Sequence, residues 1–496
     1  MQPAYDQLKA HLERIADLNA AANVLEWDQE TYMPDGAAEA RGHQVATLRQ
    51  LAHEFLIADE VDTLLERLAP ETASLDPVST EAALVRVTKR DYERARKIPA
   101  TLVAEMARAV ASAKQAWKEA RETDTFATFA PHLQRLIDLN IQQVEALGYE
   151  DRRYDALLDA FEPGMKTATA EQVFLDLREA LVPIVRAIAR QPMPDDRLLY
   201  RTFPAQAQWD FGLRVIRDLG YDFSRGRQDH STHPFTTSFS ITDVRLTTRI
   251  DEHFFNPAFF GTLHEAGHGL YEQGIDLRLD RTPLADGASL GLHESQSRLW
   301  ENLVGRSRPF WQHYYPLLQR QFPEALGEVT LDAFYSAVNK VAPSLIRVEA
   351  DEVTYNLHIM LRFELENELI DGRLAVDDLP SAWNDRMEDY LGVRPSNDAE
   401  GVLQDIHWSL GAFGYFPTYA LGNLMSTQLF DQAQRDLPGL DVQIGEGHFE
   451  DLLAWLRTNV HQYGRKKTAT QILEDVTGHG LSADSWLAYI RRKFGA

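Results

Sequence analysis

His264 and His268 stand four residues apart, and Glu265 follows the first of them, in the stretch Asn256-Pro257-Ala258-Phe259-Phe260-Gly261-Thr262-Leu263-His264-Glu265-Ala266-Gly267-His268. Apolar residues at Phe260, Leu263, Leu270 and Tyr271 predict a helix here. Asn256 is its expected N-cap, Pro257 its first residue and Gly274 its stop. At 3.6 residues per turn the two imidazoles then share one face and can reach a single cation. Glu265 lies about 100° around that helix. It is too far round to be an easy third ligand, but near enough to hold a water beside the cation. The plain alternative is a helix whose two histidines lie on a solvated or core face, and a second feature argues against it.

That feature is Glu294, in His293-Glu294-Ser295-Gln296-Ser297-Arg298-Leu299-Trp300. A catalytic zinc ion usually has three protein ligands and one open position. Between His268 and Glu294 lie 25 residues, and Pro283, Gly287 and Gly291 mark a turn within them. A helix–loop–helix return would bring Glu294 to the histidine pair as third ligand. Without that pair, Glu294 would read as an ordinary surface glutamate.

Composition narrows the chemistry. The chain has 496 residues and no cysteine, so disulfides and thiolate ligands are excluded and a metal must be held by His, Asp or Glu. The net charge of −25 disfavours non-specific binding to nucleic acid or anionic lipid. Met1 to Ile15 is amphipathic and charged, unlike a signal peptide, and no apolar run is long enough for a bilayer. Cytoplasmic residence is therefore expected.

The elements that must position these residues are mostly helical. Tyr5, Leu8, Leu12, Ile15 and Leu18 repeat at helical spacing and predict a first helix ending near Glu26 to Gly36. Further helices are predicted over 38–55, 79–97, 101–121, 129–147, from a Thr169/Gln172 capping box towards Arg190, and over 331–341, 345–370, 381–391, 417–433, 449–459, 468–476 and 485–494. Thr232 to Ile250 breaks the pattern and reads as a small hairpin or bulged strand. There Asp243, Arg245 and Thr247 alternate and point the same way, and a free strand edge could pair with an extended peptide. No linker or repeat is visible, so one mostly α domain over 1–496 is expected, compatible with a long groove between helical lobes.

Two further clusters could serve a site. Arg347 and Asp351 are four apart on a predicted helix, the spacing of a surface ion pair. An enzyme acting on free C-termini needs a fixed cation for the terminal carboxylate, and arginine grips one bidentately. Gln404-Asp405-Ile406-His407-Trp408 precedes a run of glycines and aromatics that includes Tyr415 and Tyr419. It can bring an imidazole or phenol near a developing oxyanion, or simply line a core turn.

These motifs together resemble the M32 family of metallocarboxypeptidases, the carboxypeptidase Taq group. The resemblance rests on His233-Pro234-Phe235, Asp243-Val244-Arg245-Leu246-Thr247, the HExxH segment and His293-Glu294-Ser295-Gln296. It extends to Ile346-Arg347-Val348-Glu349-Ala350-Asp351, to Gly401 through Trp408, and to Glu26 through Pro34, nearly the whole chain. One departure is Ser240-Ile241-Thr242-Asp243, where a Pro-Gly turn would be expected. The resemblance implies a mostly helical, saddle-like homodimer with an oligopeptidase-like fold and a deep groove around one divalent metal. It implies removal of single C-terminal residues with broad preference and with proline resisted. The N-terminal helices, about 1–120, would flank the groove, and the metal core would span about 230–425.

On this reading Zn²⁺, or Co²⁺ or Mn²⁺, which ligand type does not separate, is held by His264, His268 and Glu294. Glu265 is the general base, with His407, Tyr415 or Tyr419 at the oxyanion. Arg347 grips the terminal carboxylate, with Arg245 second, and Asp243 and Gln404 line the substrate site. The nearest rival is an oligopeptidase cutting internally with the same centre. A di-iron carboxylate protein would want a second Glu-x-x-His, which is not found. A silent helical binding module would not need the intact quartet.

Overall fold

The computed structural model describes residues 1–495. The first helix, Gln2–Thr31, buries Tyr5, Leu8 and Leu12 on one stripe. It runs on to Thr31 before Pro34, in extended conformation, ends the path. It lies against the next helix, Ala38–Leu56. Thr80–Lys97, Ala100–Glu122 and Phe126–Leu147 follow as the apolar spacing predicts. Helices at Asp59–Thr72 and Arg308–Gln321 were not predicted. Among the described residues no helix is long and apolar enough to cross a membrane.

Two predicted helix starts are corrected. Thr167–Ile188 begins before Thr169, so the Thr169/Gln172 capping box does not form. Asp155 accepts from the Thr167 N–H instead, at 2.7 Å. The helix predicted from Leu345 begins only at Tyr355. Arg347–Glu349 is a single 3₁₀ turn, and Asp351 folds back to accept from the backbone N–H groups of Ala342, Val353 and Thr354. An aspartate that satisfies backbone donors locally competes with helix. Arg347 and Asp351 therefore share no helix and form no pair.

The sheet is mixed rather than antiparallel. β2 (Thr236–Ser240) and β3 (Asp243–Thr248) form the expected hairpin, bulged between Ser238 and Ser240. An unpredicted strand, β1 (Gly226–His230), joins β3 in parallel, giving the order β1-β3-β2. The hairpin turns without Pro-Gly because Ser240 Oγ accepts from the Thr242 N–H at 2.9 Å. Ile241 at the tip is buried in one apolar cluster with Tyr5, Leu8, Leu12, Leu279 and Leu284. The turn thus fastens the N-terminal helices to the body that carries the histidines.

The HExxH helix spans Phe255–Gly274 with Phe254, not Asn256, at its N-cap. Pro257 falls third in the helix, where a missing N–H is still harmless because the first turn has no acceptors for it. Phe259, Leu263 and Leu270 pack into a cluster with Leu246 of β3, Trp300 and Trp311. Two further helices, Leu290–Arg298 and Pro417–Asp436, close on the same point, and glycine permits the approach. A Cβ on Gly267 would lie 2.5 Å from Ser297 Cα, and one on Gly422 would lie 2.7 Å from both Cβ and Cγ of Glu294. Gly422→Ala should cost about 1–3 kcal/mol by overpacking and displace Glu294. Thermal melts and bound metal should both fall; if neither moves, the helices do not need this contact.

Candidate metal centre

The three predicted ligands meet. One ligand atom each from His264, His268 and Glu294 lie within 4.8 Å of one another. Glu294 Oε2 is 3.6 Å from His264 Nε2 and 3.4 Å from His268 Nε2. The His264 and His268 side chains keep 20% and 17% exposure against 7% for Glu294, so the open side of the triad is the histidine side. Each imidazole spends Nδ1 on a protein partner, which leaves Nε2 for a cation. His264 Nδ1 meets Glu301 at 3.0 Å, and His268 Nδ1 meets His293 Nδ1 at 2.6 Å. Two neutral imidazoles and one carboxylate suit a borderline divalent ion.

Charge around Glu294 is arranged to keep it ionised. Arg298 Nε donates to it at 2.7 Å and Ser297 Oγ at 3.0 Å. Burial alone would raise its pKa, but Arg298, His264 and His268 outweigh it and hold the carboxyl far below the usual range. Glu301, likewise buried, is pulled down to about 2 by Arg298 and His264. It sits on a π-turn, Leu299–Val304, the wide turn that recurs inside helices at functional sites. Glu265 is also buried, and Thr236 Oγ1 donates to its carboxylate at 2.6 Å and to its backbone carbonyl at 3.0 Å. Burial lifts the Glu265 carboxyl above its ordinary range against the pull of His264 and Thr236. Glu301, Thr236 and His293 were not assigned roles from sequence. Glu301 could have been found, because Glu294, Arg298 and Glu301 repeat at i, i+4 and i+7.

His407, Tyr415 and Tyr419 gather beside the triad. His407 Nε2 is 3.3 Å from Tyr419 Oη, and the Tyr415 and Tyr419 rings are 5.4 Å apart. Both phenols lie close enough to Glu294 that its charge adds to burial in raising their pKa, so both stay protonated. Burial lowers His407 to about 4, so its imidazole is neutral. Glu366, fully buried, ties down both ends of this loop, accepting from Trp408 Nε1 at 2.8 Å and the Gly414 N–H at 3.0 Å. Glu366→Gln turns one acceptor into a donor against those groups, at about 1–3 kcal/mol. We expect a several-fold lower kcat/KM with unchanged metal content; equal activity would show that the loop holds without Glu366.

The two arginines are placed differently. Arg347 is buried, paired with Asp405 through Nε and one terminal nitrogen, and donates to Tyr355 Oη at 2.7 Å. Arg362 also pairs with Asp405, so two cations share one carboxylate and the cluster keeps a net positive charge. Of five guanidinium N–H groups, one on each terminal nitrogen of Arg347 has no acceptor among the described residues. Gln404 accepts from the Arg347 backbone N–H at 2.9 Å and from Arg362 at 2.8 Å, so it braces this cluster. Arg245 is held bidentately by Asp243, both bonds 2.9 Å, and lies over the rings of Trp27 and Phe239.

Comparison with known proteins identifies the family. A family model described as carboxypeptidase Taq (M32) metallopeptidase matches residues 7–494. Thermostable carboxypeptidase 1 of Thermus thermophilus is 42% identical, covering 100% of this chain and 99% of its own. Carboxypeptidase 1 of Bacillus subtilis is 40% identical over 97% and 96%. The crystal structure of an M32 carboxypeptidase from Deinococcus radiodurans superposes with a TM-score of 0.97 at 43% identity, covering 99% of both chains. Family, fold and the converging ligands point one way, and the chain belongs to the M32 carboxypeptidase Taq family of metallopeptidases.

Proposed function

We propose that this enzyme removes single residues from the free C-termini of peptides with broad preference, and that it resists proline at the cleaved position. The observation that carries the reading is the convergence of His264, His268 and Glu294 beside the buried Glu265. A divalent cation held there, zinc first, with Co²⁺ or Mn²⁺ fitting the same ligands, acts as a Lewis acid and makes water more acidic. Glu265 takes the proton of the attacking water and passes it to the leaving amine. Tyr415, Tyr419 or His407 donates to the oxygen on which charge develops. The positive Arg347 cluster meets the terminal carboxylate, with Gln404 bracing it, and Arg245, held by Asp243, is the second candidate.

We read the chain as one peptidase unit, supported by a family match from residue 7 to 494. Helices of about 1–120 would flank the groove and about 230–425 would carry the centre. We also read it as a cytoplasmic homodimer, which sedimentation would test. The deciding assay is one unblocked peptide, digested with and without chelator and read by mass. A ladder of single C-terminal losses that stops with chelator is expected. Cleavage inside an N-blocked, C-amidated peptide would favour the oligopeptidase alternative.

A further inference from the structure

His264 and His268 are backed by different chemistry. His264 Nδ1 meets a carboxylate directly, at 3.0 Å from Glu301, and Glu301 is itself countered by Arg298 and Arg306. His268 meets another imidazole. His268 Nδ1 lies 2.6 Å from His293 Nδ1, and His293 Nε2 lies 2.8 Å from Glu272 Oε1. The His293 side chain is 16% exposed and that of Glu272 10%. Apart from His293, the contact to the Glu272 carboxylate is Ser238 Oγ at 3.4 Å, and no arginine or lysine pairs with it among the described residues.

Hydrogen placement follows from the first link. With Nε2 of His268 given to a cation, its proton sits on Nδ1 and must be donated, so His293 Nδ1 accepts. The neutral His293 then carries its proton on Nε2 and donates it to Glu272. Every donor in the row has an acceptor, and the Glu272 carboxyl group stands at the far end. The geometry points to His293 and Glu272 as a positioning relay that fixes the tautomer of His268 and strengthens its hold on the metal from two side chains away. This rests on the metal-centre reading above. The relay makes the two histidine ligands unequal. His264 faces a carboxylate that two arginines already counter, whereas His268 reaches one only through His293, and that carboxylate has no arginine or lysine against it among the described residues. Groups behind a ligating histidine commonly contribute 10–100-fold to metal affinity.

The test is competition between the zinc-loaded protein and a chromophoric chelator, with the d–d spectrum of the Co²⁺-substituted protein as a second readout. Glu272→Gln keeps an oxygen to accept from His293 and so keeps the tautomer, losing only charge. It should weaken zinc binding by roughly tenfold and shift the Co²⁺ bands. His293→Ala should weaken it by roughly 10–100-fold. The double variant should be no weaker than His293→Ala, because Glu272 acts only through His293. Additive losses, or a Glu272→Gln protein with unchanged affinity and spectrum, would overturn the relay. Failure of the unsubstituted protein to bind zinc would overturn the metal-centre reading instead. Melting curves of the metal-free variants separate lost folding from lost affinity.

Discussion

Glu265→Gln should cut turnover by orders of magnitude and leave the metal in place. Glutamine has the shape of glutamate, and the Thr236 hydroxyl, which now donates to the Glu265 carboxylate at 2.6 Å, can still donate to its amide oxygen. What is lost is the ability to take a proton. A positioned general base typically contributes about 10²–10⁴ in rate, so kcat should fall by that range with KM little changed. Residual activity should also lack the acid limb that a titrating carboxylate gives the parent enzyme. Elemental analysis should find the same metal content, because the three ligands are untouched. A variant that keeps near-parental kcat would remove Glu265 as base. One that loses metal would show that Glu265 supports the ligand set as well.

How much of this was legible in the sequence depends on the range of the interaction. His264, Glu265 and His268 lie within one helical turn, so spacing alone put them on one element, and the helix exists. Glu294 depends on the intervening turn, which Pro283, Gly287 and Gly291 mark by interrupting a helical pattern. Arg347 shows the limit. A four-residue spacing suggested Asp351, but Asp351 satisfies backbone N–H groups of its own loop. The partner is Asp405, 58 residues away, and no local rule reaches that far. The Arg308–Gln321 helix, not predicted from the sequence, carries Pro309 and Pro316, residues that ordinarily interrupt a helical pattern. One stands in the first turn, and the buried Phe310, Trp311 and Tyr314 hold the other in helix. β1 was missed because Gly226-Arg227-Gln228-Asp229-His230 has no apolar alternation; its place comes from pairing with β3. Glu366 lies 42 and 48 residues from the Trp408 and Gly414 groups it accepts from, so no local spacing points to its role in holding the aromatic loop.

Glu294→Ala should empty the metal centre and with it the activity. Glu294 is the only anion among the three ligands, because a histidine binds a cation as the neutral imidazole. Removing one member of a buried charge pair typically costs about 3–5 kcal/mol, which on the metal's side is about two to four decades in Kd. The same change also strips Arg298 of one of its two carboxylates, leaving Glu301 at 3.1 Å, so some stability of the metal-free protein is lost too. Glu294→Gln separates the two effects. It keeps the volume against Gly422 and an oxygen for Arg298 Nε, and removes the charge. If the charge is what binds, Glu294→Gln should melt close to the parent in the metal-free state and still fail to hold zinc at micromolar concentration. Full occupancy in Glu294→Gln would assign the third ligand elsewhere, and the partly exposed faces of His264 and His268 would then have to look across the open side for it.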